Sequence, residues 1–191
     1  FAMRKHLLEY DDVLNQQREI IYDLRNKALL SDSIKDTINE FIEDFIFDII
    51  GDLDFRQVKE WDWQSINQQI NSNLMVNIEV GEIQSLESLD ELIDYINEEA
   101  LKYYKLKEDV IPSELLRKVE KFIVLKTIDE KWRNHLLGMD QLREGIGLRA
   151  YGQKNPLIEY KSESYNFFQE LMVSLRATVI QRVFHAQVSD Q

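Results

Sequence analysis

Two apolar stripes separated by a cluster of glycines constrain the fold of this chain more than any other feature. In each stripe the apolar residues recur in steps of three and four, which places them on one face of an α-helix. Four of the six glycines lie within residues 129–161, and three of these lie within residues 145–156. Two amphipathic helices joined by a short glycine-rich loop can bury their stripes against each other, so the pattern predicts a helical hairpin. The first stripe comprises Leu125, Ile128, Trp132, Leu136, Met139, Leu142 and Ile146, and the second comprises Tyr165, Phe168, Met172, Leu175, Val179 and Val183.

The predicted loop of this hairpin carries side chains that a simple connection does not need. Its exposed residues are expected to be Leu148, Arg149, Tyr151, Gln153 and Lys154, which include two cations, an aromatic ring and no acid. A turn requires only polar residues, so Leu148 and Tyr151 lack an evident packing partner at the far end of the hairpin. Two interpretations are open: these side chains fold back on the helix ends, or they form a contact surface.

The composition favours a helical protein and excludes several kinds of site. Only two prolines occur in 191 residues, and strong helix formers are present throughout. The chain has no cysteine, which excludes disulfides, thiolate metal sites and a thiol nucleophile. No apolar run approaches the roughly 18 residues that a transmembrane helix needs, and the first five residues do not begin a signal peptide.

The net charge of −12 is concentrated in the middle of the chain. Residues 32–109 contain 20 acidic and 6 basic side chains, whereas the counts are 5 and 5 before this segment and 10 and 12 after it. Such a density of negative charge argues against binding of nucleic acid or of an anionic membrane surface by residues 32–109. The C-terminal hairpin is free of this restriction and can contact acidic partners.

A long amphipathic helix is predicted at the N-terminus. Its apolar residues follow heptad-like steps with Gln17 as an interruption, and the stripe resumes after Ser31. We expect a continuous or merely kinked helix that ends at Gly51, because glycine readily takes the left-handed conformation of a helix C-cap. The apolar positions are Leu7, Tyr10, Leu14, Ile21, Leu24 and Ala28, followed by Ile34, Ile38, Phe41, Ile42, Phe45 and Ile49.

The middle of the chain gives weaker signals. Residues 75–83 are rich in β-branched side chains and are expected to be extended. Ser88 and Glu91 form a capping box, in which each side chain accepts a hydrogen bond from a free backbone N–H, and it opens a helix that ends near Asp109.

The ends of the two hairpin helices are also marked in the sequence. Ser113 is expected to cap the first helix, which would span about 48 Å to Glu144. Asn155 and Pro156 predict the start of the second helix, with asparagine as the N-cap and proline at the first helical position. The predicted fold is therefore all-α: a long N-terminal helix packs on a C-terminal helical hairpin, and a small, mainly helical subdomain is inserted at residues 52–112.

No catalytic or ligand-binding constellation emerges from the spacing of polar residues. The carboxylates Glu9, Asp11 and Asp12 are interpreted as a solvated helix face, because no histidine or second carboxylate pair completes a metal or acid–base site. The glycine-rich segment lacks the lysine–hydroxyl pair of a P-loop, so no nucleotide site is expected. Trp61 and Trp63 are interpreted either as core residues or as the rim of a peptide groove. The three histidines, interpreted as surface or interface residues, are His6, His135 and His185.

Two segments of the chain resemble SecA, the motor family of bacterial preprotein export. The N-terminal segment is similar to the start of the family's long scaffold helix, and the hairpin segment is similar to its two-helix finger in order and spacing. Residues 52–112 suggest the family's helical wing domain only by their position between these segments. The matching residues are Arg4 to Val13 with Gln17 and Arg18, and then Trp132, His135, Leu136, Met139, Asp140, Leu142, Arg143, Gly145, Ile146, Leu148, Arg149, Tyr151, Gln153, Lys154, Pro156, Glu159, Tyr160 and Lys161.

The resemblance implies a C-terminal piece of a SecA motor, with a scaffold domain at residues 1–51 and 113–191, a finger at 113–189 and a wing at 52–112. It implies that the finger contacts the preprotein and the SecYEG channel, with Tyr151 at its tip flanked by Arg149 and Lys154. It further implies that Arg18 faces the nucleotide-binding domains of the motor. Those domains would bind ATP and magnesium, whereas this piece would hold no cofactor and no ATPase activity. The implied location is the bacterial cytoplasm, peripherally at the inner face of the cytoplasmic membrane.

Two other functions remain open at this point. A freestanding helical adaptor or chaperone-like clamp would use the acidic subdomain to bind basic partners. A carboxylate-based enzyme is the other alternative. Phe1 in place of an initiator methionine is what we expect of a piece from a longer chain.

Overall fold

The all-α prediction is confirmed for the part of the chain that the structure describes. The structure, a computed structural model, describes residues 2–32, 34–149 and 155–187, and every regular element within these ranges is helical. In chain order the elements are α1 (Ala2–Leu30), α2 (Ile34–Ile50), a 3₁₀ helix (Phe55–Glu60), α3 (Trp63–Leu74), α4 (Val80–Ile83), α5 (Leu89–Val110), α6 (Ser113–Arg149) and α7 (Pro156–His185).

The chain forms two compact units. Unit 1 comprises Phe1–Ser31 and Val124–Leu175, and unit 2 comprises Asp32–Ile123 and Arg176–Gln191. Helices α6 and α7 therefore each contribute one part to unit 1 and another to unit 2. The domain boundaries inferred from the sequence, 1–51 with 113–191 and 52–112, stay a prediction.

In unit 1 the long N-terminal helix packs against the hairpin, as predicted. The half-buried residues Tyr10, Val13 and Leu14 of α1 pack against a buried cluster contributed by α6 and α7. Burial of such side chains makes the main favourable contribution to the free energy of folding, at about 1.5–3 kcal/mol for each fully buried large aliphatic residue. The cluster consists of Met139, Leu142, Ile146 and Tyr160.

Two residues assigned to the apolar stripes are exposed. Tyr165 has an exposed fraction of 64%, whereas its neighbour Ser164 is fully buried and Leu171 is buried as well. The predicted stripe is buried at Phe168, Leu175, Val179 and Val183, so only its first position is misplaced: the buried face enters α7 at Ser164, one residue before Tyr165. Leu7 is 54% exposed, so the buried face of α1 begins further along, around Tyr10.

The expectation of one continuous or kinked helix from the N-terminus to Gly51 is wrong. α1 ends at Leu30 and α2 begins at Ile34, with Ser31 and Asp32 outside both helices. The Ser31 N–H still donates to Lys27 O at 3.0 Å, which closes the last turn of α1. Serine and aspartate compete for backbone hydrogen bonds and so favour helix ends over helix interiors, and this local preference prevails over the continuing apolar stripe.

Gly51 ends α2 for a different reason from the one predicted. No described glycine has a positive φ, so Gly51 is not a left-handed cap. Its N–H donates to Phe47 O at 2.7 Å, and a Cβ at this position would lie 2.6 Å from that oxygen and 2.7 Å from the Phe47 ring. Glycine is therefore required here by the lack of space beside Phe47.

The core of unit 2 is built from isoleucines and leucines on α2, α3 and α5. α2 packs against both α3 and α5, and the side chains between them are buried with little or no exposed surface. The predicted capping box opens α5, since Glu91 N donates to Ser88 Oγ at 3.2 Å and Glu91 Oε2 accepts from Glu87 N at 2.8 Å. The central residues of this core are Ile38, Ile42, Ile46, Ile66, Ile70, Leu74, Leu92 and Ile96.

Residues 75–83 form no strand. Met75 ends α3 in the left-handed conformation with φ 55°, residues 75–79 are irregular, and Val80–Ile83 is a single helical turn. The Asn67 amide holds the irregular stretch by accepting from Ile78 N and donating to Ile78 O, both at 3.0 Å. One side-chain amide thus satisfies the backbone groups that a neighbouring strand would otherwise satisfy.

The hairpin helices begin and end partly as predicted. Asn155 Oδ1 accepts from Leu157 N at 3.1 Å and Pro156 is the first residue of α7, which confirms the predicted cap. Ser113 lies inside α6 as its first residue, and Pro112 O accepts from Leu116 N at 3.0 Å, so serine does not precede this helix. α6 also continues past Glu144 to Arg149 and includes Gly145 and Gly147.

Candidate functional site

The end of the hairpin is described up to Arg149 on α6 and from Asn155 onward, before α7 begins. Leu148 and Arg149 form the last turn of α6, so the prediction that they belong to the loop is wrong. Tyr151, Gln153 and Lys154 lie outside the described residues. The helix persists through two glycines because Leu142 and Ile146, on the same turns, are buried, and tertiary packing outweighs the weak helix propensity of glycine.

Leu148 and Arg149 are both exposed but differ in their contacts. Leu148 has an exposed fraction of 76%, and Ile158 in the first turn of α7 has one of 65%. The Arg149 guanidinium donates to Glu163 Oε1, which connects the end of α6 to the second turn of α7. The end of the hairpin therefore presents apolar side chains, while the charge of Arg149 is partly balanced by Glu163.

An aromatic and ionic cluster holds this end of the hairpin to α1. The rings of Tyr10 and Tyr160 have centroids 4.8 Å apart at a tilt of 56°. Arg143 places its guanidinium 5.3 Å from the Tyr10 ring centroid and donates to Asp11 at 3.0 Å. Cation–π and aromatic contacts of this type each contribute about 0.5–1.5 kcal/mol beyond area burial. Burial also raises the pKa of the Tyr160 phenol, which keeps it neutral.

A buried hydrogen-bond chain crosses all three helices of unit 1. Gln17 Nε2 donates to Ser164 O at 3.1 Å, so Gln17 Oε1 is the acceptor for His135 Nε2 at 2.7 Å. The hydrogen of the neutral imidazole is therefore on Nε2. Burial lowers the pKa of His135, whose ring lies 5.3 Å from the Trp132 ring and 5.9 Å from the Phe168 ring.

The sequence pattern does not predict the bond between Gln17 and His135. It predicts Gln17 as an interruption of the α1 stripe and His135 as a surface or interface residue, whereas both are buried, with exposed fractions of 6% and 8%. The spacing of Gln17 and His135 within the apolar stripes does indicate that they are buried. Gln17 stands between Leu14 and Ile21, and His135 stands between Trp132 and Met139, so each occupies a position that the helical period assigns to the core.

Comparison with known proteins identifies the family. A family model of the SecA wing and scaffold domain matches residues 1–187. This chain belongs to the SecA wing and scaffold family. The protein translocase subunit SecA of Thermodesulfovibrio yellowstonii is 39% identical over 192 residues, which cover 100% of this chain and 21% of the relative.

Other SecA relatives match to a similar extent. The protein translocase subunit SecA of Heliobacterium modesticaldum is 37% identical over 190 residues, covering 98% of this chain and 22% of the relative. The protein translocase subunit SecA 1 of Chlorobium chlorochromatii is 40% identical over 185 residues, covering 96% of this chain and 18% of the relative. The chain thus spans about a fifth of the length of the curated SecA relatives it matches.

Arg18 and the carboxylates near the N-terminus, which the sequence analysis also singled out, contact only a few nearby side chains. Arg18 is half-buried and donates to Asn15 Oδ1 on the same helix at 2.9 Å. Among the carboxylates near the N-terminus, Asp11 pairs with Arg143 and Glu9 lies 3.8 Å from His6.

The described residues offer neither a metal-binding cluster nor a membrane-spanning helix. Within residues 2–32, 34–149 and 155–187, no three histidine or acidic side chains are grouped so that they could hold a metal ion. Nor does any helix in these ranges have the length and apolar character that crossing a membrane requires.

Proposed function

We propose that this chain is the wing and scaffold portion of a SecA motor, which couples ATP hydrolysis to preprotein translocation through the SecYEG channel. The family match over residues 1–187 carries the proposal. In this assignment the scaffold comprises residues 1–51 and 113–191, and the wing comprises residues 52–112. The chain itself supplies no ATPase activity, and ATP and magnesium belong to the motor domains of the longer parent protein at the cytoplasmic face of the bacterial membrane.

The far end of the α6–α7 hairpin is the proposed contact with the preprotein and the channel. Its described residues support this role, because Leu148 and Ile158 are exposed. Tyr151 is proposed as the principal contact, with Gln153 and Lys154 beside it. A phenol ring combines apolar area with a hydrogen-bonding end, so it can press against many side chains without requiring a particular sequence, as a motor that moves many polypeptides needs.

The helix α1 is the proposed link between the nucleotide-binding domains and the hairpin. Its contacts with α6 and α7 support this role, since the Gln17–His135 bond and the Tyr10–Tyr160 contact join the elements that would move together. The opposite side of α1 exposes Leu8 at 62% and Leu30 at 78%. Exposed apolar residues of this kind suit contact with a further domain, and Arg18 is proposed to take part in it.

The test is transport by a full-length SecA motor that contains this sequence. Tyr151→Ala is expected to reduce preprotein transport at least tenfold, which corresponds to about 1.4 kcal/mol of lost interaction. Tyr151→Phe is expected to retain most of the activity because it keeps the ring. Tyr165→Ala removes another exposed tyrosine, at 64% exposure, and serves as the matched control. Normal transport by Tyr151→Ala would overturn the proposed role.

A further inference from the structure

An apolar groove in unit 2 is not explained by the role of the hairpin. It is a concave site of about 640 Å³ formed by the 3₁₀ helix, the start of α3 and the segment around α4. We call this site the wing groove, and its six apolar lining residues are Phe55, Val58, Trp63, Val80, Ile83 and Leu86. A site of this size accommodates one or two large side chains of a ligand.

Aromatic rings with satisfied polar groups make the wing groove rigid and apolar. The Trp63 indole N–H donates to Val58 O at 2.8 Å, and the Trp61 indole N–H donates to Asp54 O at 3.1 Å. The two indole rings lie 5.4 Å apart, and the Phe55 ring meets Trp61 edge-on at 6.3 Å. Because both indole N–H groups are already bonded to the backbone, the rings can offer a ligand mainly apolar contact.

The opposite wall of the wing groove is also held in place and partly open. The Asn67 amide fixes Ile78 at both backbone groups, which positions the turn that follows. On that turn Ile83 is 5% exposed and closes the wall, whereas Val80 is 51% exposed. The groove is therefore preformed, and a ligand that covers Val80 would bury apolar surface without first ordering the site.

The chain segments that form this apolar site carry a net negative charge. The segments that form it, residues 52–63 and 79–87, carry seven acidic side chains and two basic ones, and all seven acids are exposed. Of the two cations, Arg56 donates to Asp54 at 2.8 and 3.0 Å, and Lys59 lines the groove itself. The seven acids exceed these two cations by five charges. A low-dielectric site whose flanking segments are net negative attracts cations and repels nucleic acid and anionic lipid.

We propose that the wing groove binds a short polypeptide segment in which an apolar side chain is flanked by lysine or arginine. The apolar side chain occupies the space between Trp63 and Val80, and the cations pair with the exposed acids of residues 52–63 and 79–87. Hydrophobic contact supplies most of the affinity, and the charges select basic over acidic segments and make binding dependent on salt. This site is separate from the hairpin and does not depend on the role proposed for Tyr151.

The test is an NMR titration of the 191-residue chain labelled with ¹⁵N. The probe is a synthetic peptide with a Leu-Phe-Leu centre flanked on each side by two lysines, and its control has glutamates in place of the lysines. The lysine peptide is expected to shift the indole signals of Trp61 and Trp63 in a saturable manner and to leave Trp132 of unit 1 unchanged. Binding is expected to weaken at least fivefold when the salt concentration rises from about 0.05 to about 0.5 M.

Matched variants locate the site. Val80→Lys places a like charge in the wing groove and is expected to weaken binding of the lysine peptide at least tenfold. Val110→Lys makes the same change at a residue of unit 2 that is 82% exposed and does not line the groove, so it is expected to leave binding unchanged. Circular dichroism verifies that both variants keep their helix content.

Several results would overturn the proposal. These are equal binding of the glutamate peptide, a shift at Trp132 in place of Trp63, equal weakening by the two valine variants, and absence of binding at about millimolar peptide. A full-length SecA motor containing this sequence that fails to bind the peptide, while the 191-residue chain binds it, would also overturn it. In that case the occupant of the groove is another domain of the motor.

Discussion

At the scale of single residues, Gln17 has the most specific role in holding α1 to the hairpin. Its amide uses its donor for Ser164 O and its acceptor for His135 Nε2 within a core that is otherwise apolar. A buried polar group left without a partner costs about 1–3 kcal/mol. The chain of bonds therefore stabilises one register of α1 on the hairpin, because sliding α1 by a turn would leave these groups unpaired.

Replacing Gln17 by alanine is expected to lower the free energy of unfolding by about 2 kcal/mol, because it leaves the His135 N–H without its acceptor and opens a cavity. Gln16→Ala is the matched control, since Gln16 is exposed on the same turn of α1. That change is expected to cost less than about 0.5 kcal/mol. Urea unfolding monitored by circular dichroism measures both values, and equal losses would contradict the role assigned to the buried amide.

His135 is expected to make the stability of the chain depend on pH. Burial lowers its pKa below 6.5 in the folded protein, so the unfolded chain takes up a proton first as the pH falls. The contribution of His135 to stability is therefore complete above pH 6.5 and declines as the pH falls from 6.5 toward the folded pKa. Its close neighbours Gln17, Trp132 and Phe168 are uncharged and provide no counter-charge.

The measurement is the free energy of unfolding of the parent chain and of His135→Gln, each at about pH 7.5 and about pH 5.5. Other titrating groups are common to both proteins, so their effects cancel in the comparison. The parent is expected to lose more stability on acidification than the variant. An identical loss in both would show that His135 does not titrate with a lowered pKa.

At the scale of elements, the glycines of α6 have free space around them for a side chain, whereas Gly51 has none. A Cβ added at Gly145 or Gly147 would meet no atom within 4 Å, whereas one at Gly51 would meet Phe47 O at 2.6 Å. Both α6 positions lie in a helix interior or its last turns, where glycine costs about 0.5–1 kcal/mol relative to alanine. The end of the hairpin is thus built on a helix that its own sequence weakens.

Alanine substitution in α6 and at Gly51 is expected to change the free energy of unfolding in opposite directions. Gly145→Ala and Gly147→Ala are each expected to raise the free energy of unfolding by about 0.5–1 kcal/mol, because nothing obstructs the added methyl group. Gly51→Ala is expected to lower it, because the methyl group would displace Phe47. Thermal and urea unfolding of the three variants checks the signs, and destabilisation by the α6 variants would contradict the helical assignment through Arg149.

The sequence predicted those elements whose signals are local and consistent with their packing. Asn155 and Pro156 mark the start of α7, Ser88 and Glu91 mark the start of α5, and the apolar stripe of α6 is buried at most of its positions. These features could be predicted because cap chemistry and the 3.6-residue period act within a few residues.

Other features depended on contacts that no local pattern reveals. The glycines near Arg149 predicted a loop, but the packing of Leu142 and Ile146 carries the helix through them. Gln17 and His135 are complementary only because α1 and α6 meet in space, 118 residues apart in sequence. The wing groove likewise depends on the fold, since Trp63 and Val80 line it together although they are 17 residues apart, and the hydrogen bonds of Asn67 to Ile78 hold the stretch that precedes Val80.

At the scale of the whole molecule, residues 32–109 and the end of the hairpin differ in charge and in exposed side chains. Residues 32–109 carry a net charge of −14, counted from 20 acids and 6 bases, whereas the residues after them carry 12 bases and 10 acids. The described residues at the hairpin end include the exposed side chains of Leu148 and Ile158. Together the two proposals predict that a polypeptide contacts the hairpin through apolar and aromatic side chains and is selected by its positive charge at the wing groove.

The central claim is that the end of the hairpin contacts the moving polypeptide, and site-specific photo-cross-linking tests it most directly. A photoreactive residue is placed at position 151 of a full-length SecA motor containing this sequence, and at Leu137 as the control, which is 59% exposed on α6 and about 16 Å along the helix from Leu148. During transport, position 151 is expected to capture the preprotein and the channel, and position 137 to capture far less. Equal capture at both positions, or capture only of a folded partner from position 151, would contradict the account.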